Sequence, residues 1–169
     1  MSVSIYKLSV PVFLRGLSTL SGLLDKAEVH ARENGTSVED FVNARLAPDM
    51  LPLAGQIQRI SDTSKGAIGR LTALETPSFP DTEQTFVELR ERVANTAAFL
   101  KTVTPSDMED SAARDVTLSF KTFKATFSGD DYLVKFALPN FYFHLTTAYD
   151  ILRNQGVALG KPDYFGSFE

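Results

Sequence analysis

Two polar residues one helical turn apart, Asn140 and His144, have the types and the spacing to do chemistry in this chain. At 3.6 residues per turn they lie on one stripe of a predicted helix that ends near Gly156. The other residues of that stripe are apolar: Leu133, Ala137, Ala148 and Ile151. We therefore predict that the amide and the imidazole point inward. Each then needs hydrogen-bond partners, because an unpaired buried polar group costs roughly 1–3 kcal/mol.

A second predicted helix, from about Asp49 to Ala73, could add a carboxylate to this pair because its inward stripe begins with Asp49. Gln56 lies one residue off that stripe. A carboxylate, an amide and an imidazole can hold a divalent metal ion, activate water as a general base, or hydrogen-bond to one another in a core. The sequence therefore predicts a pocket around Asp49, Asn140 and His144, with Gln56 at its edge, and leaves these three uses open.

Basic residues in two other segments are candidates for an anion-binding role. Arg45 lies just before the second long helix, and Lys161 and Asp163 lie in the tail. Either cation could hold an anionic group at the mouth of the pocket. The alternative is an ion pair of Arg45 or Lys161 with Asp163, which would fix the tail to the rest of the protein.

The elements that must position these residues follow from hydrophobic periodicity and from helix-breaking residues. The predicted helices span residues 4–34, 38–46, 49–73, 81 to about 104, and 130 or 131 to 156. Alternation of apolar and polar residues between 114 and 127 predicts a β-hairpin that turns at Lys121-Thr122. Pro139 lies inside the last helix and predicts a kink beside Asn140.

The composition indicates one globular domain over residues 1–169, since the chain has 169 residues of which 43% are hydrophobic. A net charge of −4 with mixed signs disfavours nucleic acid as a partner. The absence of cysteine excludes thiolate catalysis and cysteine metal sites. No run approaches the roughly 20 apolar residues of a membrane span, so we expect a soluble cytoplasmic protein without a membrane partner.

Three segments resemble the uncharacterised DUF1993 family, within the DinB/YfiT-like superfamily of four-helix-bundle metalloenzymes; they are 45–50, 139–156 and 160–166. The resemblance implies an all-α four-helix bundle with a small β-hairpin insertion before the last helix. It also implies a homodimer, for which the aromatic-rich face around Tyr142 and Phe143 is suited. The same aromatic residues could instead be buried under the hairpin.

The superfamily resemblance places His144 at the end of a His-x-x-x-His pair that binds a divalent metal together with a histidine of the second helix. Asn140 stands where the first histidine of that pair would be. The resemblance therefore implies either no cofactor or a weakly held Zn, Ni or Mn ion at His144.

Three functions remain open from the sequence. The first is a small-molecule-binding bundle with a degenerate DinB-type site that lacks most of the metal-ligand histidines. The second is a divalent-metal-dependent enzyme, a thiol transferase or a hydrolase, that uses His144. The third is a structural or interaction bundle without catalytic activity, whose polar core fixes the register of its helices. The histidine deficit favours the first over the second, and the volume of the pocket separates the first from the third.

Overall fold

The computed structural model describes residues 3–120 and 123–166, and four long helices form its framework. The elements in chain order are α1 (Ile5–Asn34), α2 (Glu39–Val42), α3 (Leu53–Leu71), α4 (Phe86–Thr102), β1 (Val116–Phe120), β2 (Phe123–Phe127), α5 (Gly129–Tyr132), α6 (Leu138–Asn154) and α7 (Lys161–Phe165). α3 packs mainly on α4 and α6, and α1 packs on the same two helices. α1 and α3 therefore lie diagonally across the bundle. The predicted helical bundle with a small hairpin insertion is confirmed.

The ends of α1 follow the signals in the sequence. The Ser4 hydroxyl accepts a hydrogen bond from the backbone N–H of Lys7, and Gly35 ends the helix with a φ of 65°. The inward stripe of α1 is fully buried, including Phe13 and Leu20 at 0% exposure.

Within the described ranges, no helix combines the length and the apolar character that crossing a lipid bilayer requires.

α3 begins at Leu53, so the predicted start at Asp49 is wrong. Pro52 has an extended backbone and occupies the position before the first helical residue. Proline also disfavours helical geometry in the residue that precedes it, which keeps Leu51 out of the helix. Asp49 therefore lies in an exposed turn before α3 and not on its inward face.

α4 begins at Phe86, five residues after the start predicted at Asp81. A capping box formed by Thr85 and Glu88 sets this start: the Thr85 hydroxyl accepts from the Glu88 N–H, and the Glu88 carboxylate accepts from the Thr85 N–H. The Asp81 carboxylate is instead paired with Arg59 and Arg92.

The hairpin and a short helical segment precede α6, the helix that holds Asn140 and His144. β1 and β2 pair antiparallel with Val116 opposite Phe127, as predicted, while the predicted turn at Lys121-Thr122 lies outside the described residues. A π-helical turn, Leu133–Ala137, joins α5 to α6, and Pro139 lies in the first turn of α6. A widened helical turn thus directly precedes Pro139, the residue at which a kink was predicted and which has no backbone N–H to donate.

Candidate functional site: the polar seam between α3 and α6

Two hydrogen-bonded pairs connect α3 to α6, and we call these four residues the polar seam. His144 Nδ1 lies 2.7 Å from Gln56 Oε1, and Asn140 Nδ2 donates to Thr63 Oγ1 at 2.7 Å. Gln56 and Thr63 are seven residues apart on α3, and Asn140 and His144 are four apart on α6, so each helix presents its two residues on one face. Gln56 and Thr63 are buried, whereas Asn140 and His144 are half-buried.

The hydrogen bonds of Gln56 determine which nitrogen of His144 carries the proton. Gln56 is 1% exposed, and its Nε2 donates to the carbonyl of Leu51 at 2.9 Å. This bond turns the amide so that Oε1, which can only accept, faces the imidazole. His144 Nδ1 must then be protonated and donate to Gln56. Nε2 is left with its lone pair as a hydrogen-bond acceptor and a base.

The electrostatic surroundings keep this imidazole uncharged. Burial, together with the positive charge of Arg59, lowers the pKa of His144 to about 4. The ring is therefore neutral at pH 7 and accepts a hydrogen bond more readily than it accepts a proton. It is a weak base at that pH.

Asp49 and Arg45 do not take the places that the sequence predicted. The exposed turn that holds Asp49 precedes α3, and the hydrogen-bond partner of His144 Nδ1 is Gln56, which the prediction placed only at the edge of the pocket. Arg45 donates to the carbonyl of Met50 and so closes the turn between residues 45 and 50. The tail is fixed by a different ion pair, in which Lys26 Nζ lies 2.6 Å from an Asp163 carboxylate oxygen.

The seam does not fit a divalent metal ion. In the part of the chain that the structure describes, no three His, Cys, Asp or Glu side chains form a group that could hold one. The seam offers a single imidazole, two amides and a hydroxyl, all of them neutral, and Arg59 adds a positive charge nearby. A divalent cation here would lack an anionic ligand and would be repelled by Arg59.

An open groove adjoins the seam through Phe143. The Phe143 ring meets the His144 ring edge to face, with centroids 5.2 Å apart, and is 56% exposed. The groove has a volume of about 500 Å³. Leu46, Met50 and Phe143 contribute apolar surface to it, and Thr147 and Asp150 contribute polar groups. The seam thus lies beside a surface that could receive the body of a small molecule.

Two residues that matter at this site were missed from the sequence: Thr63, which belongs to the seam, and Arg59, whose charge acts on His144. Thr63 could have been found from its spacing, because it follows the flagged Gln56 by seven residues and therefore shares its helix face. The sequence could not show that Arg59 lies near His144, because that depends on the conformation of the Arg59 side chain. Its guanidinium lies 2.9 Å from Asp62 and is also paired with Asp81 of the segment between α3 and α4.

The pairing of Arg59 belongs to a second polar cluster, which we call the Arg92 clasp. The Arg92 side chain is 1% exposed and pairs with Asp62 at 2.9 Å, Asp81 at 3.0 Å and Glu83 at 2.7 Å. Its Nη1 also donates to the carbonyl of Pro80 at 3.1 Å. The clasp ties the segment between the two helices onto both α3 and α4.

Comparison with known proteins supports the architecture described above. The family pattern described as "Domain of unknown function (DUF1993)" matches residues 5–165. The chain is also similar to the crystal structure of a DinB family member protein from Shewanella denitrificans, with a TM-score of 0.90 and 35% sequence identity. That alignment covers 97% of this chain and 93% of the other. No curated protein matches the chain.

Proposed function

This chain belongs to the DUF1993 family and has the fold of a DinB family member, and from that premise we propose that it binds a small molecule without a metal ion. The binding site is the polar seam together with the adjoining groove. The observation that carries the proposal is the pair of hydrogen bonds by which Gln56 joins the Leu51 carbonyl to His144 Nδ1. Nδ1 is occupied by Gln56, so the neutral ring has Nε2 for a ligand.

The same arrangement defines the class of ligand. A neutral imidazole with Nε2 unprotonated accepts a hydrogen bond, so the ligand supplies a hydroxyl or an amide N–H. A cationic ligand is disfavoured by Arg59, whose charge already contributes to the low pKa of His144. The exposed ring of Phe143 favours an apolar or aromatic body beside that donor. We therefore propose an uncharged hydroxyl or amide compound with one apolar ring or short chain.

Benzyl alcohol is a probe of this class, and NMR can show where it binds. During titration, saturable changes are expected in the ¹H–¹⁵N amide signals of Phe143 and Thr147. His144→Phe removes the acceptor while keeping a ring, and the expected result is a loss of affinity of about threefold to tenfold, the value of one hydrogen bond. His30→Gln is the matched control, because His30 is the only other histidine and lies at the end of α1.

Two results would overturn the proposal. The first is the absence of any saturable change at the groove, which would favour a seam that only fixes the register of α3 against α6. The second is a response that His144→Phe leaves unchanged. The metal-dependent enzyme is not supported by the donor set, and stoichiometric binding of Zn²⁺ that disappears in His144→Ala would restore it.

We also propose a cytoplasmic homodimer in which a second copy covers part of the aromatic face. Support comes from exposed apolar side chains that line the groove, among them Leu46 at 41%, Tyr142 at 41% and Phe143 at 56%. Sedimentation velocity over a hundredfold range of concentration measures the state. The dimer is expected in the wild type and weakened in Phe143→Ser, and a monomer at every concentration would contradict it.

A further inference from the structure

The groove beside the polar seam follows one stripe of α6. Phe143, Thr147 and Asp150 all line it, and they follow one another at spacings of four and three residues. At a rise of about 1.5 Å per residue, this stripe is roughly 10 Å long. Leu46 and Met50, from the turn before α3, supply apolar surface along it. A ligand that begins at the seam therefore extends along the groove toward Asp150.

The polar groups along this line are hydrogen-bond acceptors. His144 Nε2 carries a lone pair, because Gln56 holds the ring proton on Nδ1. The Thr147 hydroxyl donates to the carbonyl of Phe143 at 2.8 Å, so only its lone pairs are left for another molecule. An ionised carboxylate such as that of Asp150 can only accept. A molecule that fills the groove is therefore matched by hydrogen-bond donors at more than one point.

The Asp150 carboxylate does not stabilise the fold. It is half-buried, and among the described residues it takes part in no hydrogen bond or ion pair. Asp150 also lies toward the C-terminal end of α6, where the helix dipole disfavours a negative charge. Aspartate is in addition a poorer helix former than alanine. The carboxylate is therefore available to a molecule in the groove that it lines.

We propose that the ligand of the polar seam carries a second hydrogen-bond donor, and that Asp150 selects the ligand by accepting from it. The second donor lies at the opposite end of the apolar body from the donor that meets His144. An ammonium group would be attracted by Asp150 and repelled by Arg59, so the second donor is an uncharged hydroxyl. This inference rests on the proposed function and narrows its ligand class to compounds with donors at both ends, of which an aromatic diol is the simplest.

The probe is 4-hydroxybenzyl alcohol, which adds a hydroxyl to benzyl alcohol at the far end of the ring. In a ¹H–¹⁵N NMR titration it is expected to shift the amide signals of Phe143 and Thr147, and those of Asp150 and Ile151 in addition. Its affinity should exceed that of benzyl alcohol about fivefold, because the added hydrogen bond reaches a charged but partly solvated acceptor. A second compound, 4-methoxybenzyl alcohol, keeps the oxygen without its proton and should bind no more tightly than benzyl alcohol.

Variants at Asp150 test whether this carboxylate is the acceptor. Asp150→Ala should abolish the difference between 4-hydroxybenzyl alcohol and benzyl alcohol and leave the affinity for benzyl alcohol unchanged. Asp150→Asn keeps a neutral acceptor of similar shape and should retain part of the difference. Asp115→Ala, at an exposed aspartate just before β1, is the control for the loss of one negative charge.

The two alcohols also separate this inference from the proposed function. If benzyl alcohol binds in a His144-dependent manner and 4-hydroxybenzyl alcohol binds no more tightly, the inference fails and the proposed function stands. A gain that 4-methoxybenzyl alcohol shares, or that Asp150→Ala leaves intact, would also overturn the inference. If neither alcohol causes a saturable change at the groove, both proposals fail.

Discussion

The Arg92 clasp and the polar seam both use side chains of α3, but they hold their neighbours by opposite means. The clasp places a fully charged guanidinium at 1% exposure among three carboxylates. The seam joins α3 to α6 through neutral amides, a hydroxyl and an uncharged imidazole. A buried charge is tolerated only when it is paired, so the clasp has little freedom to bind anything else.

The residues of the clasp stabilise the fold, whereas the residues of the seam are able to do chemistry. Among side-chain atoms of the described residues, Arg92 Nε is the one buried nitrogen or oxygen without a hydrogen-bond partner, yet the rest of that guanidinium is fully engaged within the protein. In the seam, by contrast, Gln56 engages only one nitrogen of the half-buried His144. The more strongly charged cluster is therefore the structural one, and the neutral seam is the candidate binding site.

Removal of the buried arginine is expected to have the largest effect. Arg92→Met leaves three carboxylates around an apolar side chain, and the free energy of unfolding should fall by about 3–5 kcal/mol. Urea unfolding measures this change. Arg90→Met is the matched control two residues away, because Arg90 pairs with Asp25 and Glu28 at the surface. It should cost about 1 kcal/mol or less, and equal losses in the two variants would contradict the comparison.

The next effect comes from the amide that orients His144. Gln56→Leu removes the acceptor for Nδ1–H and the donor to the Leu51 carbonyl, leaving both without their partners. Unpaired buried polar groups should lower the free energy of unfolding by roughly 1–3 kcal/mol. Gln58→Leu, two residues along α3 and facing Glu83, is the control and should cost less. A Gln56→Leu variant as stable as the wild type would show that the seam contributes no stability.

The pH dependence of stability tests the neutral state of His144. In the unfolded chain a histidine takes up a proton near pH 6.5, whereas the folded ring does so only near pH 4. The free energy of unfolding should therefore fall as the pH drops from about 6.5 to 4. After allowance for solvent screening, this loss is about 1–2 kcal/mol. Urea unfolding at pH 7 and 4.5 measures the free energy of unfolding, and in His144→Gln this part of the fall should be absent. Identical pH profiles of wild type and variant would contradict the low pKa.

The smallest effect is expected at the other pair of the seam. Thr63→Val keeps the shape of the side chain and removes the hydroxyl that accepts from Asn140. Because Asn140 is half-buried and water can replace this partner, the cost should be about 0.5–1.5 kcal/mol. Ser64→Ala is a comparison on the same helix, since the Ser64 hydroxyl bonds only to carbonyls of its own helix. A loss above 3 kcal/mol in Thr63→Val would mean that the two seam pairs act as one unit.

Much of the fold could be predicted from the sequence because its signals are local. Ser4 and Gly35 mark the ends of α1, and alternation marks both strands of the hairpin. The start of α3 was misplaced because hydrophobic periodicity was extended through Pro52, although proline signals a boundary. The predicted start of α4 at Asp81 is wrong because the Asp81 carboxylate forms ion pairs instead of capping the helix. Its true partners, Arg59 and Arg92, come from distant parts of the sequence.

The candidate site was harder to predict because it depends on pairings between helices. Asn140 and His144 could be found from their spacing on one helix. Which residue of α3 faces His144 depends on the rotation of α3, and that residue is Gln56, which the prediction placed only at the edge of the pocket. The buried Arg92 lies on a helix whose pattern is otherwise regular, so sequence periodicity gave no sign that an arginine would be buried.

We infer that the seam is a metal-free site with a neutral His144. A long-range ¹H–¹⁵N NMR correlation of the histidine rings at pH 7, recorded before and after one equivalent of Zn²⁺, tests it most directly. The expected result is a neutral His144 ring with the proton on Nδ1 and an Nε2 signal that Zn²⁺ leaves unchanged. His30 is the second histidine in the same spectrum. A proton on Nε2, or a Zn²⁺-dependent change confined to His144, would contradict it.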